Sequence, residues 1–246
     1  MHQLQQDLHR NSGTVAAYAV CTAAVLTFFR ANRAATAALV EEGSDPSFAL
    51  NLYLFVCLLA ATLALSALQA LFFARLGARL DCPIWRRSEP RTALREFLPL
   101  WFVINLAVTT LLSVLGPAAM TGPGPSAGLL FLVSCLVVCV ATPAGAAVMF
   151  HAASGPQAPR EGAACVLRNL PSFVPALFIG LLQWVSGDVF QAAFPPDNAV
   201  NIALLGVCDL PLAVAECAVL ALAWRVCMAD RDRTEEEEDA LDDDDY

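Results

Sequence analysis

Lysine is absent from this 246-residue chain, and all 14 of its basic residues are arginine. Without lysine the protein can form no Schiff base through a side-chain amine, and it has no phosphate-binding loop ending in Gly-Lys-Ser/Thr. Sequence signatures of proteases, other hydrolases and HExxH zinc enzymes are also absent. We therefore expect no enzymatic site and no cofactor.

Cysteine pairs of the CxxC type are missing as well. The nine cysteines include no CxxC pair, and six of them lie inside apolar runs: Cys21, Cys57, Cys135, Cys139, Cys208 and Cys217. This distribution predicts small buried apolar side chains rather than a disulfide framework. A soft-metal site could form around Cys135 and Cys139, one helical turn apart, or around the two cysteines that bracket Asp209. Metal sites show tighter Cys/His spacing, so we expect no metal ion and interpret His151 as a surface histidine.

Charged residues are scarce, at 15% of the chain, whereas hydrophobic residues make up 58% and the mean hydropathy is +0.60. At most about half of the residues in a soluble domain are apolar. A water-soluble monomer could not bury this much apolar surface. The composition therefore predicts an all-α integral membrane protein whose first partner is the lipid bilayer.

Six apolar runs are long enough to cross about 30 Å of hydrocarbon, which requires roughly 20 residues. They cover residues 13–39, 48–74, 97–115, 127–150, 171–194 and 199–226. We expect a polytopic bundle of six transmembrane helices at 13–228, preceded by an N-terminal segment at 1–12. Short amphipathic stretches with arginines precede the third and fifth spans. In the second of these, residues 160–170 show the helical spacing of a helix that lies on the membrane surface.

The distribution of arginine predicts the orientation. Six arginines lie in residues 75–95 and two in residues 151–170, while the connections 116–126 and 187–198 hold none. By the positive-inside rule this pattern favours a multi-pass protein of the bacterial inner membrane with both termini in the cytoplasm. Trp101 and Trp224 would then lie toward the inner membrane interface. Arg30 and Arg33 depart from the rule, because they would face outward.

The formal net charge of −9 comes from the C-terminus. Residues 230–246 hold 11 acids and two arginines, whereas residues 1–229 hold 12 acids and 12 arginines. A block of like charge predicts a disordered acidic tail at 229–246 in the cytoplasm. We interpret residues 230–246 as a solvated terminus or as a contact for a basic partner, and we expect no nucleic-acid partner.

Two carboxylates interrupt the last apolar run. Asp209 and Glu216 are seven residues apart, so on a helix they project from nearly the same face. A charged carboxylate near the bilayer centre costs about 3 kcal/mol, so such residues face the bundle interior, pair with a base or carry a proton. We interpret the two acids either as a buried pair that fixes helix packing or as a proton or cation relay.

Arg30 is the candidate partner of Asp209. If the first span is unbroken and the last span runs in the opposite direction, Arg30 lies about 6 Å and Asp209 about 3 Å outward of the bilayer centre, at about 1.5 Å per residue. The two residues are therefore at similar depth. An ion pair between them would explain both unusual positions.

The segment at residues 160–182, REGAACVLRNLPSFVPALFIGLL, is an arginine-bearing amphipathic lead-in to a span. Together with the layout of residues 48–228, it resembles bacterial six-span membrane families related to the membrane domain of glycerophosphodiester phosphodiesterases. The resemblance implies a helical membrane domain without catalytic residues, because the chemistry of those proteins belongs to a separate soluble domain.

The favoured function is a non-enzymatic, membrane-embedded accessory or scaffold subunit that contacts other membrane subunits or copies of itself. The alternative is a small transporter or proton-coupled carrier that uses Asp209 and Glu216. No motif in the sequence identifies a substrate.

Overall fold

A computed structural model describes residues 2–40, 48–121, 125–151 and 157–243, and these residues form helices with no strand among them. The prediction of an all-α protein is therefore confirmed. The helices are α1 (His2–Arg10), α2 (Ser12–Val40), α3 (Phe48–Arg79), α4 (Pro90–Thr121), α5 (Pro125–His151), α6 (Gln157–Arg168), α7 (Leu170–Ala193) and α8 (Ala199–Asp243). A single 3₁₀ turn, Trp85–Arg87, lies between α3 and α4.

Among the described residues, five stretches of helix are long and apolar enough to cross a membrane, judged by length and composition. They are Ser12–Thr36, Phe48–Arg79, Pro90–Leu111, Leu170–Ala193 and Ala199–Thr234, and a shorter apolar helix covers Cys139–His151 within α5. Large apolar side chains on these helices, such as Phe28, Val103 and Val207, are more than half exposed in the isolated chain. Soluble proteins rarely leave such extensive apolar surface uncovered, so the fold fits a multi-pass membrane protein.

The first and last long helices, α2 and α8, are antiparallel neighbours. The hydroxyl of Tyr18 donates to Glu216, and further along α2, Thr27 packs against Gly206. Residue numbers therefore increase along α2 in the direction in which they decrease along α8. A Cβ at Gly206 would lie 2.5 Å from the Thr27 hydroxyl, so glycine is what allows the two helices this close approach.

The bundle has an arginine-rich end, at which α2 begins, α3 ends and α8 passes Arg225. The 3₁₀ turn and α6 lie at this end too, because Cys82 contacts Met228 and Arg168 contacts Asp230. At the opposite end, α7 and α8 are joined by residues 194–198. There the side chain of Asn198 accepts a hydrogen bond from the backbone of Asn201 and so caps the start of α8.

Two tryptophans fill the core, although the sequence predicts that they lie toward the membrane interface. Trp101 and Trp224 are both fully buried. The indole nitrogen of Trp224 donates to the carbonyl oxygen of Ala146 at 2.8 Å, and that of Trp101 lies 2.9 Å from the sulfur of Met149. Small residues on α5 leave room for both rings, and each indole N–H finds a partner inside the protein. The rings therefore do not need the interface.

The predicted helix at residues 160–170 corresponds to α6. Its amphipathic character places Cys165 in the core and leaves Leu167 about three-quarters exposed. The helix packs tightly on α5, because a Cβ at Gly162 would lie only 3.0 Å from the backbone nitrogen of Val148. The junction with α7 is short, since α6 ends at Arg168 and α7 begins at Leu170.

Helix is present on both sides of the apolar bundle. Residues 1–12 include α1, whose Asp7 accepts two hydrogen bonds from Arg225 at 2.7 and 2.9 Å. Where a disordered tail is predicted from residue 229, α8 continues instead as a helix to Asp243. The side chains of the acidic block beyond residue 234 lie outside the described residues, so the predicted contact with a basic partner is not tested there.

The continuation of α8 has a physical reason in Asp230, which is 5% exposed. Its carboxylate accepts hydrogen bonds from Arg168 at 2.8 Å and Asn169 at 2.7 Å. Arg233, one turn later, donates to Asn169 and lies 3.5 Å from the same carboxylate. The hydrogen bond from Arg168 to Asp230 raises the pKa of that guanidinium. These contacts hold the first turn beyond the apolar run against α6 and α7.

Candidate functional site

A partly open cavity of about 410 Å³, with polar side chains in its wall, lies between five helices. Its wall combines all three charged residues singled out in the sequence with amide, hydroxyl and apolar side chains. From α2, α3 and α4 it includes Tyr18, Thr22, Leu26, Arg30, Leu65, Gln69 and Asn105; from α7 and α8 it includes Gln183, Gly187, Phe190, Gln191, Leu205, Asp209, Leu212, Ala213 and Glu216.

Arg30 and Asp209 form a two-pronged ion pair across the cavity. Nη1 of Arg30 contacts Oδ2 of Asp209, and Nη2 lies 3.0 Å from Oδ1. The side chain of Asp209 is 6% exposed and that of Arg30 is 16% exposed. Because helical side chains tilt toward the N-terminus of their helix, the long side chain of Arg30 reaches back along α2 to the level of Asp209.

Glu216 is held by two neutral donors rather than by a base. The hydroxyl of Tyr18 donates to Oε2 at 2.5 Å, and the amide of Gln69 donates to Oε1 at 2.7 Å. Within the described part of the chain, no salt bridge reaches this carboxylate. Since Arg30 and Asp209 neutralise each other, Glu216 determines the charge of the cavity.

A chain of hydrogen bonds leads away from Glu216 into α3 and α4. The amide nitrogen of Asn105 donates to the oxygen of Gln69 at 2.6 Å and to the hydroxyl of Ser66 at 2.9 Å. The Ser66 hydroxyl in turn donates to the backbone oxygen of Thr62. Every donor in this chain therefore points toward an acceptor, and the Gln69 amide is oriented with its N–H toward the carboxylate.

Two further polar groups border the cavity. The Thr22 hydroxyl, one helical turn from Tyr18 on α2, is buried and has no hydrogen-bond partner among the described residues. Buried hydroxyls nearly always have a partner, so this one is an exception beside the cavity. On the facing wall, Gln183 donates to the backbone oxygen of Leu212 at 3.0 Å, next to Pro211 inside α8.

The structure thus places the three residues singled out in the sequence around one cavity. It brings Arg30 and Asp209 into direct contact and gives Glu216 separate partners. The sequence offered a signal for the residues that were missed: Gln69 and Asn105 each interrupt an apolar run. Amides inside transmembrane segments hydrogen-bond across helices for the same reason that acids do. The presence of Gln69 and Asn105 in apolar runs therefore indicates polar contacts between helices. The spacing of the two amides does not indicate which residues they contact.

The sequence matches no protein-family model, and no curated protein or solved structure is significantly similar to it.

The ion pair predicts a pattern of stabilities. Asp209→Asn leaves the Arg30 guanidinium without its counter-charge, and removing one partner of a buried pair costs about 3–5 kcal/mol. We expect a clear fall in the thermal unfolding midpoint of the detergent-solubilised protein. Adding Arg30→Gln to the same molecule should restore most of the loss, because no charge is then left unpaired.

Arg87→Gln is the matched control. Arg87 pairs with Glu96 at 2.7 Å, with both side chains about one-third exposed, so its loss should cost less than about 1 kcal/mol. A double variant that is less stable than Asp209→Asn alone would contradict the assignment of Arg30 and Asp209 as a mutually compensating pair.

Proposed function

We propose that the chain spans the bacterial inner membrane six times, with both termini in the cytoplasm. The contacts of α5 support the sixth span: the helix packs against Trp101 of α4 through Gly145 and ends at His151 beside Cys227 of α8. It therefore returns the chain to the arginine-rich end, from which α7 leaves again. The positive-inside rule then puts this end in the cytoplasm.

This topology predicts opposite labelling of two introduced cysteines. Arg33 and Glu89 are both exposed, and they belong to opposite ends of the bundle. A membrane-impermeant maleimide applied to intact spheroplasts should label Arg33→Cys, and it should label Glu89→Cys only after permeabilisation. The wild-type protein serves as the control for its native thiols. The reverse labelling order would overturn the proposed orientation.

We further propose that the protein is a proton-coupled carrier of a small cation. The proposal rests on Glu216, whose carboxylate borders the cavity. Within the described residues, its hydrogen-bond partners are neutral and no basic side chain neutralises it. Ionisable residues inside membranes are costly and mark ion pathways and proton relays. A site with one excess negative charge favours a proton or a cation over an anion or a neutral solute.

The partners of Glu216 suit the exchange of a proton for a cation. Both carboxylate oxygens accept hydrogen bonds, so the ionised form is satisfied without a base. When Glu216 takes up a proton it must itself donate, and the amide N–H of Gln69 cannot accept. The Tyr18 hydroxyl can, because a hydroxyl rotates between donating and accepting. The Thr22 hydroxyl, one turn away and without a partner among the described residues, can then accept a hydrogen bond from Tyr18.

The ion pair has a different role in this proposal. Arg30 and Asp209 fix α2 against α8 on the side of the cavity toward the opposite end of the bundle, and their charges cancel. A cation that enters the cavity therefore meets one negative charge at Glu216 rather than two. Pro211 lies between the two acids and cannot donate a backbone hydrogen bond, which weakens the helix at the level of the cavity.

Transport measurements test the carrier. Proteoliposomes with an acidic interior and a trapped pH-sensitive dye should lose their pH gradient when sodium or tetraethylammonium is added outside. Glu216→Gln should slow this loss at least tenfold, because the amide cannot take up and release a proton. Tyr18→Phe should keep transport but alter its pH dependence, since the hydroxyl that hydrogen-bonds to Glu216 is removed.

Glu96→Gln is the control for these variants, because it neutralises an acid on the surface while leaving the cavity intact. Size-exclusion profiles and unfolding midpoints establish that each variant is folded. Equal rates for the wild-type protein and Glu216→Gln, or a wild-type rate equal to that of empty liposomes with both cations, would contradict the carrier.

An accessory or scaffold subunit is the second candidate function, and the polar contacts that attach α8 to its neighbouring helices favour it. Polar contacts join α8 to α1 and α2 at three levels, through Arg225, Glu216 and Asp209. In this case the acids hold the bundle rigid, and residues 235–246 are the free docking segment. Deletion of 235–246, which spares Asp230, should then remove a stoichiometric membrane partner without lowering the unfolding midpoint. Retention of that partner would contradict the role of the tail.

A further inference from the structure

Three metal-ligating side chains meet at the arginine-rich end of the bundle, away from the cavity. They are His151 at the last position of α5, Cys165 on α6 and Cys227 on α8. One ring nitrogen of the histidine and the two sulfurs all lie within 4.8 Å of one another. The sulfurs are 3.1 Å apart, and both cysteines are fully buried. Glu216 is 11 residues, or about 16 Å, from Cys227 along α8.

The histidine supplies a second, independent observation. Nε2 of His151 is buried and has no hydrogen-bond partner among the described residues. The sequence suggests a surface histidine, but the ring instead turns toward the thiols of α6 and α8. A buried imidazole nitrogen without a partner is uncommon in proteins, and coordination of a metal ion would satisfy it.

We propose that His151, Cys165 and Cys227 form a binding site for a thiophilic cation, Zn²⁺ or Cu⁺. Two thiolates and an imidazole are the donor set that these ions prefer over carboxylate and water ligands. A tetrahedral ion with Zn–S bonds of about 2.3 Å holds its sulfurs about 3.8 Å apart. The observed separation of 3.1 Å is shorter than this, so the ion requires a rotation of each thiol that moves the sulfurs about 0.7 Å apart. It is also far longer than the bond of a disulfide, about 2.05 Å, so the two thiols are not bonded to each other.

Two neighbouring side chains, Cys82 and Asp230, are not ligands of this site. Cys82 does not belong to the group of ligand atoms within 4.8 Å of one another among the described residues, and its sulfur lies 3.8 Å from that of Met228 instead. The oxygens of Asp230 are occupied by Arg168 and Asn169. The protein thus provides three ligands and leaves a fourth position for water or an exogenous ligand.

The expected effect of the ion is structural. It would join the consecutive helices α5 and α6 to α8, since Cys165 and Cys227 are 62 residues apart in the sequence, next to the turn that leads into α7. Neither the cavity nor Glu216 takes part, so the metal site and the proposed carrier activity can fail independently.

Metal binding can be measured on the full-length protein in detergent. After reduction and treatment with a chelator, titration with Zn²⁺, and separately with Cu⁺ under argon, against a chromophoric competitor should show one bound equivalent. Cys165→Ser, Cys227→Ser and His151→Gln should each weaken binding at least a hundredfold. Cys57→Ser, which replaces a half-buried cysteine on α3 outside the cluster, should bind like the wild-type protein.

A measurement on the wild-type protein keeps the test valid if a variant does not fold. Alkylation of Cys165 and Cys227, followed by mass spectrometry under reducing conditions, should slow at least tenfold when Zn²⁺ or Cu⁺ is added, whereas Cys57 should react at an unchanged rate. Co²⁺ added in place of zinc should produce a thiolate-to-cobalt charge-transfer band that Cys165→Ser lacks. Folded wild-type protein that binds neither ion, or alkylation rates that neither ion changes, would overturn the proposal.

Discussion

Hydrogen bonding of polar groups inside an apolar bundle is the constraint on which this structure depends. In hydrocarbon there is no water to accept or donate hydrogen bonds, so each acid in the apolar part of α8 needs a partner on another helix. Asp209 finds Arg30 on α2, and Glu216 finds Tyr18 on α2 and Gln69 on α3. Because these partners come from different helices, the same bonds that satisfy the acids also set the positions of α2 and α3 around α8.

The arrangement also explains why α8 has neighbours on so many sides. Its buried face presents Trp224 to the carbonyl oxygen of Ala146 on α5, and its acids to α2 and α3. Near the arginine-rich end, Asp230 holds the junction between α6 and α7. Contacts of this kind along its length hold α8 in place against the helices around it. The cavity lies where α8 carries a proline and is bordered by the amides of three other helices.

Much of the fold follows from the sequence, because long apolar runs and the absence of strand patterns are local properties. The pairing of Arg30 with Asp209 also follows, since two unmatched charges at similar depth have few alternatives in lipid. The hydrogen-bond network around Glu216 does not follow: Tyr18 and Gln69, which bond to Glu216, and Asn105, which bonds to Gln69, lie on three different spans, and only packing brings them together. The order of residues 230–234 was missed because it depends on Asn169 and Arg168, which are about 60 residues away. The cluster of His151, Cys165 and Cys227 has no spacing that a motif could describe.

The proposed carrier requires that Glu216 gains and loses a proton inside the bundle. Infrared difference spectroscopy of the reconstituted protein tests it most directly, because a protonated carboxyl has a C=O stretch distinct from those of carboxylates and amides. We predict a band that appears as the pH is lowered, decreases when sodium or tetraethylammonium is added, and is absent from Glu216→Gln but present in Glu96→Gln. A spectrum in which Glu216→Gln retains every pH-dependent carboxyl band would contradict the account.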